Sequence, residues 1–150
     1  AQMHSMCWAH LGITPQHIIV IDKKFKLCGL DTATKIGSFP YEIQSDLWDY
    51  FGIYTAPEVI TGTYNANVDT YSVGIVMCYI IVHNIPDVPS KIRTWNATKM
   101  LTEASAYLNS MSDIDNRYSL IEKLINQIEN KKEDRILPEM ALKRLKFIMS

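Results

Sequence analysis

The chain of 150 residues is short of cysteine, of net charge and of long apolar runs, and each shortage removes a class of function. Three cysteines occur, Cys7, Cys28 and Cys78, an odd number at irregular spacing with two of them inside apolar stretches. Such a set reads as buried free thiols in a reducing compartment, not as a disulfide framework. Fifteen Lys and Arg against sixteen Asp and Glu leave a formal charge of −1. The positive field with which proteins coat nucleic acid is missing, so no nucleic-acid partner is expected. The longest unbroken apolar run, Ile75 to Val82, has eight residues. A bilayer-crossing helix needs roughly 20, so no membrane partner is expected. Six Gly and six Pro are too few for a collagenous or linker-dominated chain. The opening Ala1-Gln2 lacks the charged start and apolar run of a signal peptide, and the chain reads as a fragment or a processed product.

What is present is globular. Apolar residues make up 47% and charged residues 21%, enough for one domain, residues 1–150, with a core of its own. Met3, Met6, Cys7 and His10 fall at helical spacing and predict a helix over residues 3–10, ended by Gly12. The β-branched run His17-Ile18-Ile19-Val20-Ile21 suits a short buried strand, and Phe25-Lys26-Leu27-Cys28 its return across a Lys23-Lys24 turn. Residues 31–56 hold no period. From Val68 to His83 the chain is apolar nearly all round, which predicts a helix covered on every side. Amphipathic helices are expected over 97–109, 118–129 and 138–149. The order predicts a mainly α (α+β) domain with a short β-hairpin at one edge.

Particular residues then say more than periodicity does. His10-Leu11-Gly12-Ile13-Thr14-Pro15-Gln16-His17 lies without a gap over the protein-kinase catalytic loop H-R-D-L-K-P-x-N. Lys26 to Asp31 lies over the stretch ending in D-F-G, and Tyr54-Thr55-Ala56-Pro57-Glu58 reproduces Y-x-A-P-E. Val68-Asp69-Thr70-Tyr71-Ser72-Val73-Gly74 looks like the D-V-W-S-x-G that opens the central helix, and Arg135 sits where the family keeps an Arg near its last helix. Five landmarks in order make the chain resemble the C-terminal lobe of a protein kinase. The N-terminal lobe is absent from this chain. The hairpin falls next to the catalytic-loop position.

The resemblance breaks where chemistry is done. Phosphoryl transfer needs carboxylates to hold Mg²⁺ and a base to orient the acceptor hydroxyl. Gly12 stands at the catalytic-base position, Thr14 at the loop Lys, His17 at the metal-binding Asn and Gly29 at the metal-binding Asp. The resemblance implies a pseudokinase, not an enzyme, with no cofactor and no metal ligands. Scaffold positions persist: Glu58 and Arg135 match the family's buried ion pair. Asp69 matches the residue that reaches from the central helix to backbone N–H groups of the catalytic loop.

Other residues admit a sharp and a bland reading. Asp22 and Asp31 invite a displaced metal pair, but read better as a hairpin bend and a turn cap. His4, Cys7 and His10 lack a fourth ligand at zinc-type spacing. Ser38, Tyr41, Ser45, Tyr50 and Tyr54 offer hydroxyls to a kinase, yet Leu11 replaces the Arg that would receive a phosphate. Phe39, Tyr41, Trp48, Tyr50 and Phe51 form a dense aromatic group. It either anchors a partner or folds inward as packing, and Tyr41, Trp48, Tyr50 and Phe51 are the candidate interaction residues. The basic Lys143, Arg144 and Lys146 complement the dipole of the last helix.

The function this implies is a protein-interaction scaffold or allosteric regulator whose partner is a protein, an active kinase among the candidates. The free thiols and the resemblance place it inside the cell, in the cytoplasm. The alternative is a repurposed nucleotide-binding or nucleotidyl- or phosphoryl-transfer enzyme, completed by an N-lobe outside this segment.

Overall fold

The computed structural model describes residues 2–37, 52–59, 64–86, 88, 92, 94–111, 115–129, 135 and 138–149. The chain is mixed helix and sheet. A one-turn helix α1 (Gln2–Ser5) leads into β1 (Trp8–Ala9), then a loop and the ribbon β2 (Ile18–Ile21) and β3 (Lys24–Leu27). A 3-10 turn at Leu30–Thr32 precedes β4 (Thr34–Lys35). Four longer helices follow: α2 (Asn67–His83), α3 (Ala97–Met111), α4 (Asn116–Glu129) and α5 (Pro138–Met149). Two small antiparallel sheets form. β1 pairs with β4, and β2 pairs with β3 in the register Ile18↔Leu27, Ile19↔Lys26, Val20↔Phe25, Ile21↔Lys24.

The apolar run makes α2 the centre. Ile75, Val76, Cys78 and Val82 are all buried, as are Val68 and Tyr71 nearer its start. Its first half closes one core cluster with Ala9, Leu11, Ala56, Val59 and Tyr64. Its second half closes another with Met100, Ala104 and Leu108 of α3, Ile125 of α4 and the connecting Ile92. Full burial of a Leu, Ile or Met side chain contributes about 1.5–3 kcal/mol, so the helical half is held chiefly by this second cluster. The front of α2 is held by polar bonds as well. The Asn65 side chain accepts the Asn67 N–H at 2.8 Å just ahead of the helix. The Ser72 hydroxyl lies 2.7 Å from the Tyr54 carbonyl and 3.1 Å from that of Val68, fastening the 52–59 segment to the helix. Among the described residues no helix is long and apolar enough to cross a membrane.

Several expectations are corrected. The first helix stops at Ser5, because Met6 and Cys7 turn back on it through 3.0 Å bonds to the Met3 and His4 carbonyls. Cys7, at φ 60, rather than Gly12 takes the left-handed step, and Trp8-Ala9 leave as a strand. Cys7 is exposed and Cys28 half-buried, leaving Cys78 as the buried thiol. The strand Ile18–Ile21 is not a buried one: from Ile19 onward its residues are exposed, as is all of β3. The central helix is not covered on every side either, since Val73 and Ile80 are exposed.

Candidate functional site

The loop from His10 to His17 is built around one carboxylate on the central helix. Asp69 sits in the first turn of α2 and is 3% exposed. Its Oδ2 accepts the His10 backbone N–H at 2.8 Å and its Oδ1 the Leu11 N–H at 3.0 Å. Oδ2 also accepts from Nε2 of His4 at 2.8 Å, so one buried anion ties α1, the loop and α2 together. Hydrogen bonds to an ionised carboxylate are about twice as strong as neutral ones. The loop needs them, because Leu11 adopts φ 62, a left-handed backbone that side chains larger than glycine avoid.

His10 continues the network inward and is 1% exposed. Its Nδ1 accepts the Gly12 N–H at 3.2 Å, which leaves the ring proton on Nε2, donated to the Cys28 carbonyl at 3.1 Å. The His10 carbonyl in turn accepts from the Thr32 hydroxyl at 3.0 Å. Burial holds the imidazole below its ordinary pKa against the opposing pull of the Asp69 carboxylate, so the ring is neutral near pH 7. Its ring centroid lies 6.4 Å from that of His17.

His17 closes a 3-10 turn that Pro15 starts, with its N–H on the Thr14 carbonyl at 3.1 Å. Its Nδ1–H donates to the Gly12 carbonyl at 2.5 Å. The ring lies against Gly29, which turns the chain out of β3 at φ 74. The four positions Gly12, Thr14, His17 and Gly29 thus belong to one loop system. Two carry no side chain, Thr14 is buried, and the fourth presents an imidazole. None can act as a carboxylate base or a hard oxygen anion for Mg²⁺.

Asp22 lies in the exposed tip of the β2–β3 ribbon at φ 50, and Asp31 is exposed in the 3-10 turn after Gly29. Asp31 is not the turn's cap: Gly29 is, and no side chain bonds there. Among the described residues no three His, Cys, Asp or Glu side chains gather to hold a metal ion.

Glu58 and Arg135 meet as a bidentate ion pair. Nη1 bonds Oε1, and Nη2 lies 3.3 Å from Oε2. The guanidinium also reaches the Asn67 carbonyl at 3.4 Å and stands 5.0 Å from the centre of the Tyr71 ring. The Asn67 amide returns a bond to the Arg135 carbonyl at 3.3 Å. Arg135 therefore pins the 52–59 segment to the start of α2. Tyr54 of that segment is half-buried, and burial, aided by Tyr79, pushes its phenol up to about 12.

Tyr41, Trp48, Tyr50 and Phe51 lie outside the described residues, as do Ser38, Phe39 and Ser45. Sequence reasoning missed His4 as the third partner of Asp69. Its signal in the sequence is weak, one member of the spaced set His4, Cys7 and His10 in a segment that reads as one continuous helix. Neither the scan against protein-family models nor the search of curated proteins finds a match to this chain.

Proposed function

We propose that the chain is a kinase-like C-terminal lobe that keeps the shape of a phosphotransferase half, has lost the reaction, and acts by binding another protein. The observation that carries this reading is the Asp69 carboxylate bonded to two successive backbone N–H groups of a loop whose chemical positions are empty. Effort of this kind, a buried anion and a left-handed Leu11, is spent on holding the loop's shape. The loop so held has no proton acceptor at Gly12, no cation at Thr14 and no oxygen anion at His17 or Gly29. The Glu58–Arg135 pair supports the same reading, since it fastens the segment that the resemblance aligns with an activation segment.

A protein partner, an active kinase first among the candidates, would be recognised by shape. The parts of the chain proposed to meet it are the segment before Glu58, the connection after α2 and the neighbouring helices. The carboxylates that a repurposed transferase would call on, Asp22 and Asp31, stand on exposed turns without support from a lysine or asparagine of the loop, which argues against that alternative.

Titration calorimetry with ATP, with and without Mg²⁺, tests the proposal. No magnesium-dependent binding is expected. Tight, magnesium-dependent ATP binding, or phosphate transfer lost on the substitution Asp31→Asn, would overturn it. Affinity purification of the full-length protein from its source, followed by reconstitution with the candidate kinase, tests the positive half of the reading.

A further inference from the structure

We infer that His17 is a built-in plug: its imidazole fills the space that any side chain on residue 29 would need, and so keeps a divalent cation out of the turn at Gly29. What is excluded follows from the proposed reading; how it is excluded rests on geometry alone. A Cβ built on Gly29 would lie 2.7 Å from Cδ2, 2.8 Å from Nε2 and 3.0 Å from Cγ of His17. Carbon atoms in contact settle at about 3.5–4.0 Å, so the two cannot coexist as placed. The obstacle is a planar ring and not the loose end of a long side chain.

The ring has little freedom to swing aside. Nδ1–H is held by the Gly12 carbonyl at 2.5 Å. The backbone behind it is held by the Cys28 N–H, which donates to the His17 carbonyl at 2.9 Å, with the Cys28 thiol 3.4 Å from the same oxygen. The adjoining ribbon pair Ile18↔Leu27 sets residues 17 and 28 opposite each other, so neither strand can slide to make room. Gly29 itself sits at φ 74, where a Cβ is disfavoured even in open space. An imidazole at 17 therefore requires a bare hydrogen at 29, and the two departures from the kinase pattern form one coupled change. A carboxylate restored at 29 would meet the ring before it met a cation. The ring offers that cation only nitrogen, a poor donor for Mg²⁺.

The test uses the whole chain and the variants G29A, G29D, H17N and H17N/G29D, followed by thermal melting and by Mn²⁺ titration with EPR detection. The left-handed backbone penalty at 29 is the same with either residue at 17, so the cycle isolates the ring. H17N is expected to recover about half or more of the melting temperature lost in G29D. Mn²⁺ is expected to bind H17N/G29D about tenfold or more tightly than it binds G29D. A G29D or G29A variant that melts like the parent would overturn the plug. So would equal Mn²⁺ binding with and without His17, or a rescued double variant that binds none. Should G29D fail to fold, nitrogen-15 NMR of the unaltered chain decides. An Nδ1-protonated His17 with an NOE from its Hδ2 to Gly29 Hα supports the plug, and the other tautomer or a missing NOE overturns it. Magnesium-dependent ATP binding by the unaltered chain would instead sink the proposed function, while the melting cycle would still report on the ring.

Discussion

Asp69 and Leu11, 58 residues apart in sequence, meet through a 3.0 Å hydrogen bond from the Leu11 N–H to Oδ1, and Leu11 bears a left-handed backbone at φ 62. The conformation costs about 1–2 kcal/mol for a residue with a Cβ. A bond to a charged acceptor contributes about 1.5–3 kcal/mol and outweighs it. Asp69→Asn replaces one acceptor oxygen by an amide that faces a backbone donor. We expect a loss of about 1–3 kcal/mol, and a larger one for Asp69→Ala, which orphans both N–H groups. Urea unfolding measures the loss. Amide exchange at His10 and Leu11 should accelerate more than exchange in α3, and uniform acceleration would contradict the local role.

The Glu58–Arg135 pair is buried enough for deletion of one partner to leave an uncompensated charge. Arg135→Met should cost about 3–5 kcal/mol. Arg135→Lys should fall only partly short of that, because an ammonium cannot reproduce the two-point contact. Glu58→Gln, which keeps an acceptor, should be the mildest. In a double-mutant cycle the combined change should cost clearly less than the sum, and additive losses would show that the two residues act separately.

His10 makes stability depend on pH in a definite direction. Its folded-state pKa is lowered, by burial first, below the ordinary 6.5. The groups facing it are the Asp69 carboxylate, the His17 ring and the Cys28 carbonyl. Protonation would place a second N–H on Nδ1, against the Gly12 N–H that it now accepts. The stability from the neutral ring is full above about pH 6.5 and is lost as pH falls from there through the lowered value. Unfolding free energies should fall as the pH is lowered below about 6.5, and His10→Gln should reduce this fall.

Much of the helical half could be read from spacing. The last helix runs Pro138–Met149 as expected, and the others match within about two residues, since long amphipathic stretches carry several repeats of their period. Two-residue strands carry none, so the sequence holds no sign of the Trp8-Ala9 pairing with Thr34-Lys35. A β-branched run looks alike whether buried or exposed, so spacing does not reveal that Ile19 to Ile21 are exposed. In the candidate site, residue types at fixed offsets singled out Asp69, Glu58, Arg135, His17 and Gly29. Spacing could not reveal that His4 reaches Asp69, or that the His17 ring leans on Gly29, because both contacts are made by the tertiary fold.

The ribbon turn is open to improvement. Asp22 and Lys23 sit at φ 50 and φ 60 at its tip, the pattern of a two-residue turn that prefers Asn-Gly. The double change D22N/K23G should stabilise the chain, because relief of about 1–2 kcal/mol of left-handed strain at Lys23 outweighs the roughly 0.5–1 kcal/mol of backbone entropy that glycine costs. It should also slow amide exchange between β2 and β3. A lower melting temperature would show that the side chains at the tip matter more than the backbone strain.

That ribbon has a practical consequence for anyone handling the protein. Val20 and Phe25 form a cross-strand pair on one face, 63% and 80% exposed, with Leu27 beside them. Both outer edges of so short a sheet are templates for further pairing. Concentrated solutions of the chain by itself should therefore scatter light and elute early from sizing columns. Threonine at positions 20 and 25 is the first remedy for crystallisation and spectroscopy, because it preserves strand preference while removing the adhesive face.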